Sequence, residues 1–477
     1  MKESTTEKED NQKDQKEFSH STINMISYSS LEFVMNIFSI TFGAYIFYFY
    51  EVEIGLSSWL TALGFIIYAI WNAINDPLVG YLCDRPFFFT KKWGRRFPWI
   101  IATIFPSVFI YLLLYTPPDV DPVNGQFLIF WWLVLITCLF DTILSFWAVN
   151  YGALFADKFR NIDERRTASG YVMILAYIGI ALGSLVPPFL IEYGVKESFV
   201  LQAWVIVVIA LIAAILAIPG VKEDPETIQK YIDAYNEKKR SKTQRNPFRM
   251  FKDAFTNKNF LMFVALFLGY SVLRASLLGS LQYGVRYILK LDAVYSSIIM
   301  AGYLISSLVS TPIWAKIIKK TDNNRKIMII GAILSCIFTI PMTFLSDLIS
   351  WTIVLILWGI GIAGIFVARN PVLADIIDES ITETEERSEG IYNGAYLFIL
   401  RLSLVFQALI FAIVHSLTGF VEGADTQTDL AIFGIHLTLG IIPMMFLLIG
   451  TILFWKFYDL TPQKTTEVQM RLRELKL

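Results

Sequence analysis

Asp76 lies where a carboxylate is expensive, in AIWNAINDPLVGYLCDR (residues 69–85), which otherwise reads as an apolar helix. Asn72 lies one turn before it on the same helix face, and Asn75 directly precedes it. Pro77 has no N–H, which frees the carbonyl of Ala73 from its helix bond. The stretch therefore offers a carboxylate, two amide oxygens and a loose carbonyl. Such hard oxygen ligands suit a small cation such as sodium, and a buried carboxyl can equally take up a proton. A structural kink with Asp76 paired to a basic residue is the competing explanation.

Arg401 lies in GAYLFILRLSLVFQAL with no charged neighbour in sequence. A buried guanidinium needs an acidic partner or an anionic ligand. Asp76 and Asp141 are its candidate partners. Arg274 and Asp141 are further charges inside apolar runs, each costing roughly 2.5–3.5 kcal/mol at a membrane centre. Asp141 and Trp147 fall in FDTILSFWAVN, where an acid and an indole could line a sugar-binding cavity, although packing is the commoner use of such an indole. Asn36 and Gln407 are weaker polar candidates, and Glu32 is expected near the membrane interface.

The elements that hold these residues are long apolar helices. The chain has 477 residues, 55% hydrophobic and only 17% charged, well below the quarter typical of soluble domains. Runs long enough to cross a bilayer lie near 28–50, 58–82, 97–115, 128–152, 168–191 and 199–219, then 258–279, 293–318, 327–346, 350–374, 391–417 and 431–457. They are continuous and do not alternate, so they predict twelve helices, not barrel strands. Short loops with Arg85, Lys91, Lys92, Arg95 and Arg96, with Lys158 to Arg166, and with Lys316 to Lys326 all fall on one side. The opposite loops are almost free of basic residues, Lys196, Arg286 and Lys290 excepted. The bias predicts a multi-pass cell-membrane protein with both termini cytoplasmic.

Residues 1–24 read as a polar, disordered cytoplasmic tail and 221–256 as a cytoplasmic central loop. Residues 25–220 and 257–458 form two six-helix bundles, and 459–477 a second cytoplasmic tail that could form an amphipathic helix. A long basic loop between six-helix halves is the layout of the major facilitator fold. An internal repeat supports it. ALFADKFRNIDERRTASG (153–170) and PVLADIIDESITETEERSEG (371–390) share an Ala-Asp, an acidic stretch and a glycine opening the next span. Asp157 and Asp375 are 218 residues apart. After the second span, Asp84-Arg85 and Gly94-Arg95-Arg96 resemble the loop motif of the same superfamily. Charge-assisted bonds among Asp84, Arg85, Arg95, Arg96, Asp157 and Asp375 are expected to gate the cytoplasmic face.

No phosphate-binding glycine loop is present, His20, His415 and His436 lack metal-ligand spacing, and no nucleophile motif is seen. An enzyme is not expected. Nor is any cofactor, any metal beyond a possible sodium at Asp76, or a nucleic-acid partner.

IWNAINDPLVG followed by KKWGRRFPWI resembles the glycoside–pentoside–hexuronide:cation symporter family, of the melibiose permease type. So do VLADIIDES…ERSEGIYNGAYLFILRL, NPFRMFKDAFTNKNFLMF and FWKFYDLTPQ. The resemblance implies a twelve-helix transporter that moves a substrate with a cation by alternating access, and a monomer is expected. It matches Asp76 to the family's coupling acid and Arg401 to a functional lysine. Asn72 stands where those permeases have a second acid, which favours a proton over sodium. Asn36 and Ile143 stand in place of their two sugar-binding aspartates. The expectation is a cation-coupled sugar or glycoside symporter with Asn36, Asp141, Trp147, Arg274 and Arg401 around the substrate. A lysolipid or other organic-solute symporter is the alternative within the fold, and a non-transporting receptor or scaffold the alternative outside it.

Overall fold

A computed structural model describes residues 20–475 except 122–123, 226–227, 230, 233–254 and 385–388. Residues 1–19 of the expected tail and most of the central loop lie outside the described residues, as does the Glu-Arg-Ser of the second repeat. Eleven helices among the described residues are long and apolar enough to cross a membrane. In the first half these are α1 (Thr22–Glu53), α2 (Ser58–Cys83), α4 (Gln126–Lys158), α5 (Ile162–Phe189) and α6 (Lys196–Val221). In the second they are α7 (Lys258–Leu289), α8 (Val294–Thr321), α9 (Asn324–Thr343), α10 (Leu348–Thr384), α11 (Gly390–Thr418) and α12 (Asp429–Phe457). The shorter α3 (Phe97–Leu113) completes twelve; at 1.5 Å per residue its 17 residues reach about 26 Å. A final surface helix, α13, runs Pro462–Leu475.

The packing repeats with a shift of six helices. In the first half α1 packs on α5 and α6, α4 on α2 and α3, and α3 on α6. In the second half α7 packs on α11 and α12, α10 on α8 and α9, and α9 on α12. Between the halves α2 meets α11, α5 meets α8, and α1 meets α7. This pseudo-two-fold arrangement is what the short sequence repeat reflects. Small residues allow the closest approaches: a Cβ at Gly179 of α5 would come within 2.6 Å of the Phe33 carbonyl on α1. In lipid, where tails are as apolar as leucine, such close packing holds helices together.

Both described termini sit at one end of the bundle, here called the terminal end; the loops after α1, α7 and α11 mark the far end. At the far end α1 and α7 each finish in a π-helical turn, Phe49–Glu53 and Gly284–Leu289. A π turn widens the helix and re-aims its side chains, and such turns are frequent at functional sites. Here they turn Glu51 and Glu53 toward the second half and Arg286 toward the first.

Candidate functional site

At mid-depth α2, α4 and α11 converge on one polar network. The Arg401 guanidinium forms an ion pair with Asp76 across the two halves, and its Nη1 donates to the Asn72 carbonyl at 2.6 Å. The carbonyl engaged is thus that of Asn72, one residue before the one Pro77 releases. The other Asp76 oxygen accepts from Ser145 Oγ at 2.5 Å. Asn75 Nδ2 donates to Ser145 at 3.0 Å and to Asp141 Oδ2 at 3.1 Å, and Asn72 Nδ2 donates to Asp141 Oδ1. Asp141 and Ser145 are one turn apart on α4 and face the Asn72/Asn75/Asp76 side of α2.

Asp141 therefore belongs with the helix-two group and not with the cavity between the halves, although it was expected beside the substrate. It is 3% exposed and does not line the cavity. The α2–α4 contact rotates its carboxylate onto the two asparagine amides. The second carboxylate that α2 lacks is thus supplied by α4. Two acids, two amides and a hydroxyl lie together, with the Arg401 guanidinium occupying the Asp76 side.

Next to this network the halves enclose a cavity of about 400 Å³. Asn36 and Arg274 line it, as does Leu400, the neighbour of Arg401. Glu32, expected near the interface, also lines it and accepts from Asn36 Nδ2 at 3.1 Å. Arg369, which the sequence reading overlooked, supplies a third charge. Trp147 does not reach the cavity. It is fully buried, and its indole N–H donates to Ser107 of α3 at 3.1 Å, so the α3–α4 packing leaves no face for a sugar ring.

The loop charges at the terminal end join elements of one half. Arg95 bridges Asp84 (3.3 Å) and Asp157 (3.2 Å), and Arg96 Nε reaches Asp157 at 2.8 Å. Glu223, just beyond α6, accepts from the Arg96 and Phe97 N–H groups at 2.7 and 3.0 Å, tying down the start of α3. Gly94 takes φ of +92°, which glycine adopts without strain. Arg85 stacks over the Tyr81 ring, and Asp375 accepts from Asn324 at 3.2 Å. The motif loop folds back on the α4 end that follows it, and the bonds of Asp84, Arg85, Arg95, Arg96, Asp157 and Asp375, the charges expected to gate this face, each lie within one half among the described residues.

Cross-half bonds gather instead at the far end. Glu51 of α1 is fully buried and accepts from Tyr283 Oη; His415 Nδ1 lies 2.9 Å from its other oxygen. Arg286 Nη1 reaches Glu53 at 2.8 Å and the Tyr48 hydroxyl at 2.9 Å. Glu422 accepts from Ser58 N and Oγ at 2.8 and 2.7 Å, and Tyr193 donates to Gln282 at 2.7 Å. Arg286 was an exception to the charge bias of the loops; here it is the cation of this seal. A Cβ at Gly152, Gly170, Gly390 or Gly394 would meet nothing within 4 Å, as would one at Gly419 of the far end.

Comparison with known proteins agrees with the architecture. The chain is similar to the sodium-dependent lysophosphatidylcholine symporter 1 of Gallus gallus, 24% identical over 444 residues, covering 85% of this chain and 80% of that protein. It is likewise similar to the Homo sapiens symporter of that name, 23% identical, with 85% and 77% covered. Among solved structures, a mutant of the nucleoside transporter NupG superposes with a TM-score of 0.63 at 11% identity, over 91% of this chain and all of that one. That likeness is one of fold. A family model described as MFS/sugar transport protein matches residues 27–462, and with the duplicated twelve-helix architecture this shows that the chain belongs to the MFS/sugar transport family.

Proposed function

We propose that the protein is a cation-coupled symporter whose cargo is an amphipathic solute of the lysolipid class, working by alternating access in a cell membrane with both termini cytoplasmic. The observation that carries this reading is the Asp76–Arg401 pair. It joins the two halves at mid-depth, one residue from a cavity-lining side chain, and sits in a ready set of oxygen ligands. A cation at Asp76 competes with the guanidinium for the same carboxylate. Releasing Arg401 then loosens the contact between halves and alters the cavity wall at Leu400. One shared charge thus couples the two sites.

The cross-half bonds at the far end support an inward-facing arrangement. Sodium is favoured over a proton because Asp141 of α4 brings a second acid to the Asn72, Asn75 and Asp76 group. Lysolipid is favoured over sugar on two grounds. The cavity wall is rich in Met173, Ile180, Leu277, Met300, Leu304 and Leu400, and the similarity to lysophosphatidylcholine symporters spans most of both chains. A thermal-stabilisation screen of lysolipids and glycosides, with and without sodium at two pH values, tests the reading, since a ligand bound to the native state stabilises by mass action. Sodium-dependent stabilisation by lysolipids is expected. Stabilisation by glycosides alone would return the cargo to sugars.

A further inference from the structure

The central cavity is electrically lopsided. Its first-half wall carries one charge, Glu32, which the Asn36 amide already holds. Its second-half wall carries two, Arg274 on α7 and Arg369 on α10, and no carboxylate among its lining residues. Arg274 is exposed to the cavity and makes no hydrogen bond or ion pair among the described residues. Arg369 uses Nε on Asn370 Oδ1 at 3.0 Å and lies over the Phe366 ring at 4.8 Å. Tyr270 stands within electrostatic reach of both guanidiniums. Ser271 and Ser307 line the same wall, as does Thr311, whose hydroxyl donates to the Ser307 carbonyl at 2.8 Å.

A guanidinium that faces a cavity between spans and has no protein partner there marks a place for an anion on the substrate path. Guanidinium forks match the oxygens of phosphate and carboxylate, and hydroxyls add neutral donors. The geometry points to a binding site for an anionic head group, a phosphomonoester or phosphodiester, between Arg274 and Arg369, so that the cargo carries net negative charge. This rests on the transport reading above and narrows its cargo from lysolipids in general to those with an anionic head. A zwitterionic choline head would add a cation beside two guanidiniums, with only Glu32, already engaged by Asn36, to receive it.

The test is equilibrium binding to the full chain in nanodiscs, with lysophosphatidylglycerol, lysophosphatidylcholine and an alkyl maltoside of matched tail length, and with glycerol 3-phosphate as a head without a tail. Lysophosphatidylglycerol is expected to bind at least tenfold more tightly than the other two tailed ligands. Arg274→Gln and Arg369→Gln should each remove most of that advantage while changing alkyl maltoside affinity less than twofold. Lysine at either position should restore part of it. Unaltered melting of the unliganded variants will separate lost binding from lost fold. Equal affinity for all three heads, or an anionic preference that survives both Gln variants, overturns the site. Tight binding of glycerol 3-phosphate without a tail keeps the anion site and sinks the lysolipid cargo. Arg-dependent binding with no gradient-driven uptake keeps the site and sinks the transport reading.

Discussion

Arg401→Gln is expected to tighten sodium binding while destroying coupled transport. The Arg401 guanidinium holds Asp76 and takes the Asn72 carbonyl at 2.6 Å, and both charged side chains are about a quarter exposed, at 26% and 24%. Two unit charges about 4 Å apart attract by about 4 kcal/mol at an effective dielectric constant of about 20. Partial exposure to water reduces this, and about 2 kcal/mol is a fair residue, above the 0–1 kcal/mol of an exposed pair. A sodium ion that must displace the guanidinium loses that amount of affinity. Removing the guanidinium should return it, which is about 30-fold in sodium Kd at about 1.4 kcal/mol per factor of ten. Sodium titration by calorimetry, on wild type, Arg401→Gln, Arg401→Lys and Asp76→Asn, reads this directly. Lysine keeps the charge and should stay near wild type, and Asp76→Asn should lose binding. Weaker or unchanged sodium affinity in Arg401→Gln would refute the competition, and Arg401 would then be part of the site's support.

Other perturbations probe the ends of the bundle. Glu53→Gln removes an ionic partner of Arg286 from the far-end seal and should shift the population toward far-end opening by 10-fold or more, at about 1.5–3 kcal/mol for a charged hydrogen bond; spin-label distances across the far-end loops should lengthen, and unchanged distances would remove the seal from the gating account. Gly170→Leu and Gly390→Leu face open space and should fold normally, yet block closure at the terminal end, so substrate binding should survive and net uptake fail. His20, just before α1, is held by Asp224 at 3.0 Å and Glu164 at 2.7 Å. The Asp224 hydrogen bond raises its pKa from 6.5, burial opposing and Glu164 assisting. A raised folded pKa stabilises fully below the unfolded value, and that stability is lost as pH rises through the folded one. Amide protection around residues 20–24, taken relative to the intrinsic exchange rate at each pH, should therefore be high below about pH 6.5 and fall above His20's raised value; protection that does not change with pH would show that the clasp does not depend on charge.

The twelve helices were legible because each is a run of about 20 apolar residues, a signal that survives without any knowledge of neighbours. The duplication was legible only through the Asp157 and Asp375 loops, although the packing repeats throughout. Asp76 and Arg401 stood out because charge inside such a run is rare. What those charges touch was harder to read. Asp141 was placed with the substrate because its helix face could not be fixed until α2 packed against α4 and brought Asn72 and Asn75 to it. Trp147 looked available for stacking until Ser107 of α3 took its indole N–H. The far-end seal joins residues as distant as Glu51 and Tyr283, 232 positions apart, through two π turns that interrupt otherwise ordinary helical periodicity. Its one outward sign was Arg286 in a loop set otherwise poor in basic residues.

Uptake of a radiolabelled lysophospholipid into proteoliposomes, driven by an inward sodium gradient at constant pH, measures coupling through Asp76 itself. Wild type should accumulate the lipid above its equilibrium level, and collapsing the gradient should release the excess. Asp76→Asn should exchange substrate at most, with no accumulation. Accumulation by Asp76→Asn, or wild-type uptake indifferent to both sodium and proton gradients, would contradict coupling through this carboxylate.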